Sequence, residues 1–508
     1  MRSTRLLLIS TLIFSAAPVA LPQALPNLAL VRLNYTVRKR TTNPQGELKA
    51  KIDANDAALN EATRLGQMGE VRRLLAKGQT LLAGGEWTPE LDFGNSVVLR
   101  ADHVVVDTSH RYILRIEQIY SPAISLDHAL TAKVALRKLP RGGRGGAGAQ
   151  AAQAPEIVKE LGSFQEVSRD LRESPYMMEL DLAGVEDGSY QIHVEVQDGS
   201  RTLASPNLRI VAVKDVDASL ARLESAAKNA PEIIRADALY PIDFLRKVNK
   251  GEVDIGTFDA SKEIAMAEQV MSDGKSGKDP FAGRTGDFKR HYFLKAANEI
   301  MPYRLYIPPS YDGTRAFPMV LALHGLGGTE DSMFGANYRA LEEATKRNYI
   351  LVAPMGYRID GGYGRVSNPP NHRAELSEED VMTVLARVRK DYKIDDRRIY
   401  LMGHSMGGIG TWTLGAKYPD LWAALAPISG NGNPRTLEKM KSMPEVVVHG
   451  DADTTVPVQG SRVMVEEMKR LGIEVKYIEV PGGSHTNVPG PNMAAIFDFF
   501  DTHKKAAE

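Results

Sequence analysis

The chain has 508 residues, with 63 Lys plus Arg against 63 Asp plus Glu, 43% hydrophobic and 25% charged residues. At roughly 100–200 residues per domain this length calls for two to four units, and a formal charge of zero excludes a general affinity for nucleic acid or anionic lipid. Cysteine is absent, which excludes disulfides, a thiol nucleophile and thiolate metal sites.

The first residues, MRSTRLLLISTLIFSAAPVALPQA, place Arg2 and Arg5 before an apolar run, with small residues at Ser15 and Ala17 spaced as a signal peptidase requires. Residues 1–20 are therefore expected to be a cleaved signal that sends the chain to the periplasm or outside the cell. An uncleaved anchor is the alternative reading. No later segment could span a bilayer, so no membrane association is expected after cleavage.

Residues 30–90 read as a helical hairpin segment, because Asp53 to Leu82 repeats apolar residues at three- and four-residue steps and Gly84-Gly85 follows as a stop. From Ser96 the pattern changes to short alternating runs: SVVLRADHVVV, YILRIEQIY, LTAKVALRKL, YMMELDL, YQIHVEV and NLRIVAV. Their spacing predicts an immunoglobulin-like β-sandwich over 91–214. Tyr190 follows Gly188 at a strand start, as the tyrosine corner of such sandwiches does. Within this unit, RGGRGGAGAQAAQAP (141–155) reads as a flexible inter-strand loop. Residues 215–284 return to helical periodicity and read as a helical linker region, while the sandwich before it is expected to shape the rim of the site in the following domain or to mediate homo-oligomer formation through the N-terminal domains.

Beyond 285, the apolar runs FPMVLALHG, YILVAP, RRIYLMG, EVVVHG and VKYIEVPGG alternate with helical segments. Continuous β-branched strands separated by helices predict an α/β domain over 285–508 with a mostly parallel sheet buried on both faces.

The chemistry concentrates here. Gly403-His404-Ser405-Met406-Gly407 follows one strand and opens a helix, the context a G-x-S-x-G nucleophile elbow demands: residues two before and two after the serine must be tiny for so tight a turn. A serine hydroxyl needs a histidine base, and that imidazole needs a carboxylate to fix its tautomer. Asp453, in HGDADTTVP, and His485, in PGGSHTN, each follow a later strand. Asp451 competes with Asp453, but it directly follows the strand-end glycine and is better suited to capping a turn. His404 is read as the variable elbow position and His449 as a strand end. Upstream, His324-Gly325-Leu326-Gly327-Gly328 follows the first buried strand; its backbone amides suit an oxyanion hole, with Leu326 preferred over Gly325 and Met406 as the second donor. A phosphate-binding reading of these glycines fails for want of a Gly-Lys-Ser/Thr sequence. Tyr357 and Tyr363 lie in a Gly/Pro-rich loop, 355–375, and could stack on an aromatic acyl group or simply hold the loop; Trp412 reads as core.

On PYRLYIPPSYD, LALHGLGGTED, RRIYLMGHSMGGIGTW, HGDADTTVP and GGSH, residues 285–500 resemble α/β-hydrolase esterases related to feruloyl and acetylxylan esterases and polyhydroxybutyrate depolymerases. They also resemble the predicted peptidase/esterase group with an N-terminal immunoglobulin-like domain. The resemblance implies Ser405 as nucleophile, Asp453 as acid and His485 as base, acting without metal or cofactor on small-molecule or polymer-linked esters. The rivals are a peptidase of prolyl-oligopeptidase type on the same machinery and an inactive hydrolase-like binding protein.

Overall fold

The computed structural model describes residues 25–139, 156–274, 277–367 and 370–506. The expected signal (1–20) and the Arg-Gly loop (141–155) lie outside the described residues.

Four helices come first: α1 (Leu28–Thr42), α2 (Gly46–Arg64), α3 (Met68–Leu82) and α4 (Pro89–Ser96). Helices α2 and α3 form the hairpin, α2 starting at Gly46 rather than Asp53. Helix α1 is an addition to the expected pattern, and its composition explains why periodicity does not reveal it. Leu28, Val31 and Tyr35 pack toward the α2–α3 core, whereas Leu30, Leu33 and Val37 fall on the opposite face, so no single apolar stripe runs along it. Asn27 caps α1, its side chain accepting from the Ala29 and Leu30 amides.

Two sheets follow and share one core. One has the order β1 (Val97–Ala101), β3 (Arg111–Gln118), β6 (Tyr176–Asp181). The other has the order β2 (Val105–Val106), β9 (Asn207–Ala212), β7 (Gly188–Asp198), β4 (Leu130–Lys138), β5 (Ile157–Val167), with β8 (Arg201–Ala204) paired to β7. The single run SVVLRADHVVV is thus split between sheets: the chain turns at Asp102, whose side chain accepts from the Ile113 amide.

Residues 215–284 are more than a linker. They form α5 (Val216–Ala227), α6 (Glu232–Asn249) and α7 (Ala260–Asp273), which put Leu223, Ile242 and Leu245 into the N-terminal core and Ile234 and Val270 into the next one. Buried polar contacts reinforce the seam: Asp237 accepts from the His291 amide at 2.7 Å, and Lys247 Nζ lies 2.9 Å from Glu299.

The C-terminal sheet comprises β10 (Gly286–Leu294), β11 (Glu299–Ile307), β12 (Phe317–Leu323), β13 (Ile350–Pro354), β14 (Ile394–His404), β15 (Ala424–Ile428), β16 (Glu445–Gly450) and β17 (Val475–Val480). Their order is β10-β11-β13-β12-β14-β15-β16-β17. The sheet is mixed: β10 and β11 are an antiparallel hairpin on one edge, and the strands from β13 to β17 run parallel. Helices α8 (Ala340–Arg347), α9 (His372–Asp391), α10 (Met406–Lys417), α11 (Gln459–Leu471) and α12 (Pro489–Thr502) accompany it. Alternate residues feed two cores, Leu321, Val352 and Leu401 on one face and Val320, Leu351 and Met402 on the other, which is why these strands read as unbroken apolar runs. This is an α/β-hydrolase-like fold, and Gly325, Ser405, Asp453 and His485 all follow carboxyl ends of its parallel strands, where open α/β sheets hold ligands.

Candidate active site

Ser405 joins β14 to α10 with φ 59° and ψ −116°, a sparsely populated conformation for a residue with a side chain. Its neighbours leave no alternative to glycine. A Cβ on Gly403 would stand 2.3 Å from the Gly407 oxygen, and one on Gly407 would stand 2.2 Å from the Leu323 oxygen. The Ser405 amide donates to Ile428 O at 2.9 Å, anchoring the turn to the next strand.

Opposite the serine, His485 Nε2 lies 2.8 Å from Ser405 Oγ, and His485 Nδ1 lies 2.6 Å from Asp453 Oδ2. Asp453 Oδ1 accepts from the Thr455 and Val456 amides, each at 2.8 Å. Burial acts to raise the Asp453 pKa, but hydrogen bonds from His449 and His485 outweigh it and hold the carboxyl well below the usual carboxylate range. An ionised Asp453 accepts a hydrogen bond from His485 Nδ1–H, leaving Nε2 to accept from the serine hydroxyl. Asp451 instead accepts from the Gly482 amide at 2.6 Å and caps the turn after β17.

The turn after β12 packs against the serine, since a Cβ on Gly325 would lie 3.3 Å from Ser405 Cβ. Gly327 N–H is committed to Ile359 O at 2.8 Å and Gly328 N–H to Gly325 O at 2.9 Å, which leaves the Gly325 and Leu326 amides as the turn's candidate donors. Met406 is the first residue of α10, where a backbone N–H has no acceptor within its own helix.

The structure corrects the reading of Tyr363. It is fully buried, its hydroxyl donates to His324 O at 3.2 Å, and a Cβ on Gly410 would meet its ring at 2.7 Å. With no face open to a ligand, it instead props the His324 turn against α10. Tyr357 is also engaged: its hydroxyl donates to Glu299 at 3.1 Å and the Arg358 guanidinium lies over its ring at 4.0 Å. Trp412 is buried in the core.

Two histidines set aside in the sequence stand at the site. His404 Nε2 lies 2.8 Å from His485 O and its Nδ1 lies 2.9 Å from Tyr338 Oη. Burial, followed by the neighbouring His485, pushes its pKa down to about 4. The neutral ring then donates through Nε2 to the carbonyl and accepts from the tyrosine, a tautomer assigned from this network. His449, with no exposed surface, has Nε2 3.3 Å from Asp453 Oδ2 and Nδ1 2.7 Å from Ser461 Oγ. The four-residue step from His449 to Asp453 was the only hint of this contact, and it depends on the loop folding back over the strand end. Among the described residues, Asp107, His110 and Asp217 approach one another closely enough to share a metal ion; they lie in the turn between β2 and β3 and on α5, outside this site.

Residues 295–477 match the model of an esterase family, described as "Putative esterase". The chain is 31% identical over 114 residues to feruloyl esterase B of Neurospora crassa, covering 22% of this chain and 38% of that one. It is 32% identical over 126 residues to cutinase 1 of Thermobifida cellulosilytica, covering 24% of this chain and 47% of that one. The match thus spans less than half the length of either relative. A solved structure described as a thermostable esterase is 17% identical with a TM-score of 0.39, covering 81% of this chain and 100% of that one.

Proposed function

We propose that the chain hydrolyses carboxylic esters with Ser405 as nucleophile, His485 as general base and acid, and Asp453 as the carboxylate that orients it. The observation carrying this reading is the continuous relay from Ser405 Oγ through both nitrogens of His485 to Asp453, set within the esterase-family segment. His485 Nε2 takes the Ser405 proton as Oγ attacks the ester carbonyl, and the negative charge passes to the carbonyl oxygen. The Met406 amide and the Leu326 amide, with Gly325 as the lesser candidate, donate to that oxyanion. The tetrahedral intermediate collapses, His485 protonates the leaving alcohol, and water repeats the sequence on the acyl-enzyme.

The names of the relatives point to esters carried on plant polymers: feruloyl esterase B and a bifunctional acetylxylan esterase/xylanase. Within the same reading the chain is exported, and among the described residues no helix is long and apolar enough to cross a membrane. The two N-terminal sheets are read as an immunoglobulin-like sandwich, supported by the Tyr190 hydroxyl donating to Glu186 O at 2.9 Å, the return bond of a tyrosine corner.

The test is a panel of p-nitrophenyl acetate, methyl ferulate and a peptide anilide on wild type and Ser405→Ala, with a fluorophosphonate probe. Ester turnover is expected, falling by about four orders of magnitude or more in the variant. Peptide turnover without ester turnover, or a folded wild type left unlabelled at Ser405, overturns the proposal.

A further inference from the structure

Helix α1 lies across the mouth of the Ser405 site. Near its start, Leu30 touches the oxyanion turn: a Cβ on Gly327 would lie 3.2 Å from a Leu30 methyl. Asn27 Nδ2, just before the helix, donates to Asp360 in the 355–375 loop at 3.2 Å. Near its end, Arg40 donates to the main-chain oxygens of Thr454 and Thr455, beside the orienting carboxylate Asp453. The ten residues from Leu30 to Arg40 advance about 15 Å along the helix axis, so the helix bridges two of the loops that frame Ser405.

Between those two anchors, the face turned to the site carries Leu33 and Val37, each half-buried. The opposite face is tied down. Tyr35 Oη donates to Asp56 at 2.6 Å, Lys39 pairs with Asp56 at 2.7 Å, and Arg32 donates to Thr63 at 2.7 Å. A helix held on both sides is a fixed wall. We propose that Leu30, Leu33 and Val37 of α1 form the apolar wall that receives the acyl group of the ester bound at Ser405. This rests on the esterase reading above. The acyl side is assigned because Leu30 borders the oxyanion turn, where the carbonyl must sit, whereas the leaving alcohol must reach His485. The N-terminal helices would then be part of the specificity apparatus, and the hydrolase-like domain alone would have an incomplete pocket.

The experiment varies only acyl length, comparing p-nitrophenyl acetate with p-nitrophenyl octanoate on wild type, Leu33→Ala and Leu33→Trp in the full chain, with fluorophosphonate labelling of Ser405 in parallel. Losing apolar contact to a long acyl group in Leu33→Ala is expected to lower the octanoate-to-acetate ratio of kcat/KM by about tenfold, and the bulk of Leu33→Trp is expected to change it at least as much. Labelled, active enzymes with an unchanged ratio, or equal losses on both esters, overturn the wall while leaving the esterase reading intact. A folded wild type that neither labels nor turns over either ester overturns the esterase reading and the wall together.

Discussion

His404 Nε2 sits 2.8 Å from the main-chain oxygen of His485, so the residue before Ser405 in the tight turn holds the loop that carries His485. The pH consequence has a definite sign. Burial, with His485 second, brings the His404 pKa from 6.5 down to about 4, so between those values the unfolded chain binds more protons than the folded one. The stability contribution is fully present above about pH 6.5 and is lost as pH falls through 4, amounting to about 3 kcal/mol at most. In His404→Gln, an amide can keep the donor without titrating. Urea unfolding at pH 7 and pH 4.5 should show a smaller acid loss in the variant than in wild type; equal losses would remove His404 from the account.

His449 is expected to act through Asp453. His449→Leu deletes one of the donors that keep the carboxyl ionised, so the Asp453 pKa should rise and the acid limb of kcat/KM should move to higher pH, with kcat lower by about tenfold. His449→Gln, which can still donate, should restore part of the loss. A purely structural His449 would lower the yield of folded enzyme and leave the shape of the pH profile alone.

Gly407 and Gly472 separate crowding from backbone strain. In Gly407→Ala the added methyl is driven against the Leu323 oxygen, whereas at Gly472, with φ +70°, a Cβ meets nothing within 4 Å. Gly407→Ala should destabilise by at least about 3 kcal/mol or fail to fold, and Gly472→Ala should cost about 1–2 kcal/mol. Comparable unfolding midpoints for the two variants would contradict this ranking.

Glu445 opens β16 fully buried, with neither carboxyl oxygen hydrogen-bonded among the described residues, and burial raises its pKa well above the ordinary 4.5. The unfolded chain releases this proton near its ordinary pKa while the folded chain retains it. Stability is therefore fully present below about pH 4.5 and declines as pH rises toward the folded pKa. Glu445→Met, of similar length and with no polar group to desolvate, should raise stability at pH 8 by about 1–3 kcal/mol and flatten its fall between pH 5 and 8. A less stable variant at pH 8 would contradict a buried carboxyl without a partner.

The parts of the site legible in the chain are those that local physics dictates. A strand buried on both faces must be a continuous apolar run, so β12, β16 and the second half of β14 stand out, and a turn as tight as that at Ser405 tolerates only glycine at 403 and 407. Ser405 and Asp453 follow from such signals because each comes just after a strand of that kind, whereas His485 is marked by its place after β17, an edge strand whose residues are only partly buried. Strands outside the parallel run are harder: β10 and β11 mix charged with apolar residues, and β8 is only four residues long, so neither periodicity nor length marks them.

By itself, then, the sequence determined which residues are candidates for the site and on which strand ends they stand, because strand burial and glycine sterics act over a few neighbouring residues. Tertiary structure alone decided what surrounds them. Tyr363 was a loop aromatic until α10 closed over it; His404 and His449 were bystanders until the loops after β16 and β17 folded back to within hydrogen-bond reach. Helix α1 had no evident role until residues roughly 300 and 400 positions downstream came to rest against Leu30 and Arg40. Such contacts depend on where distant segments meet, and no local pattern encodes that, because each helix face is apolar or charged for a partner that lies elsewhere in the chain.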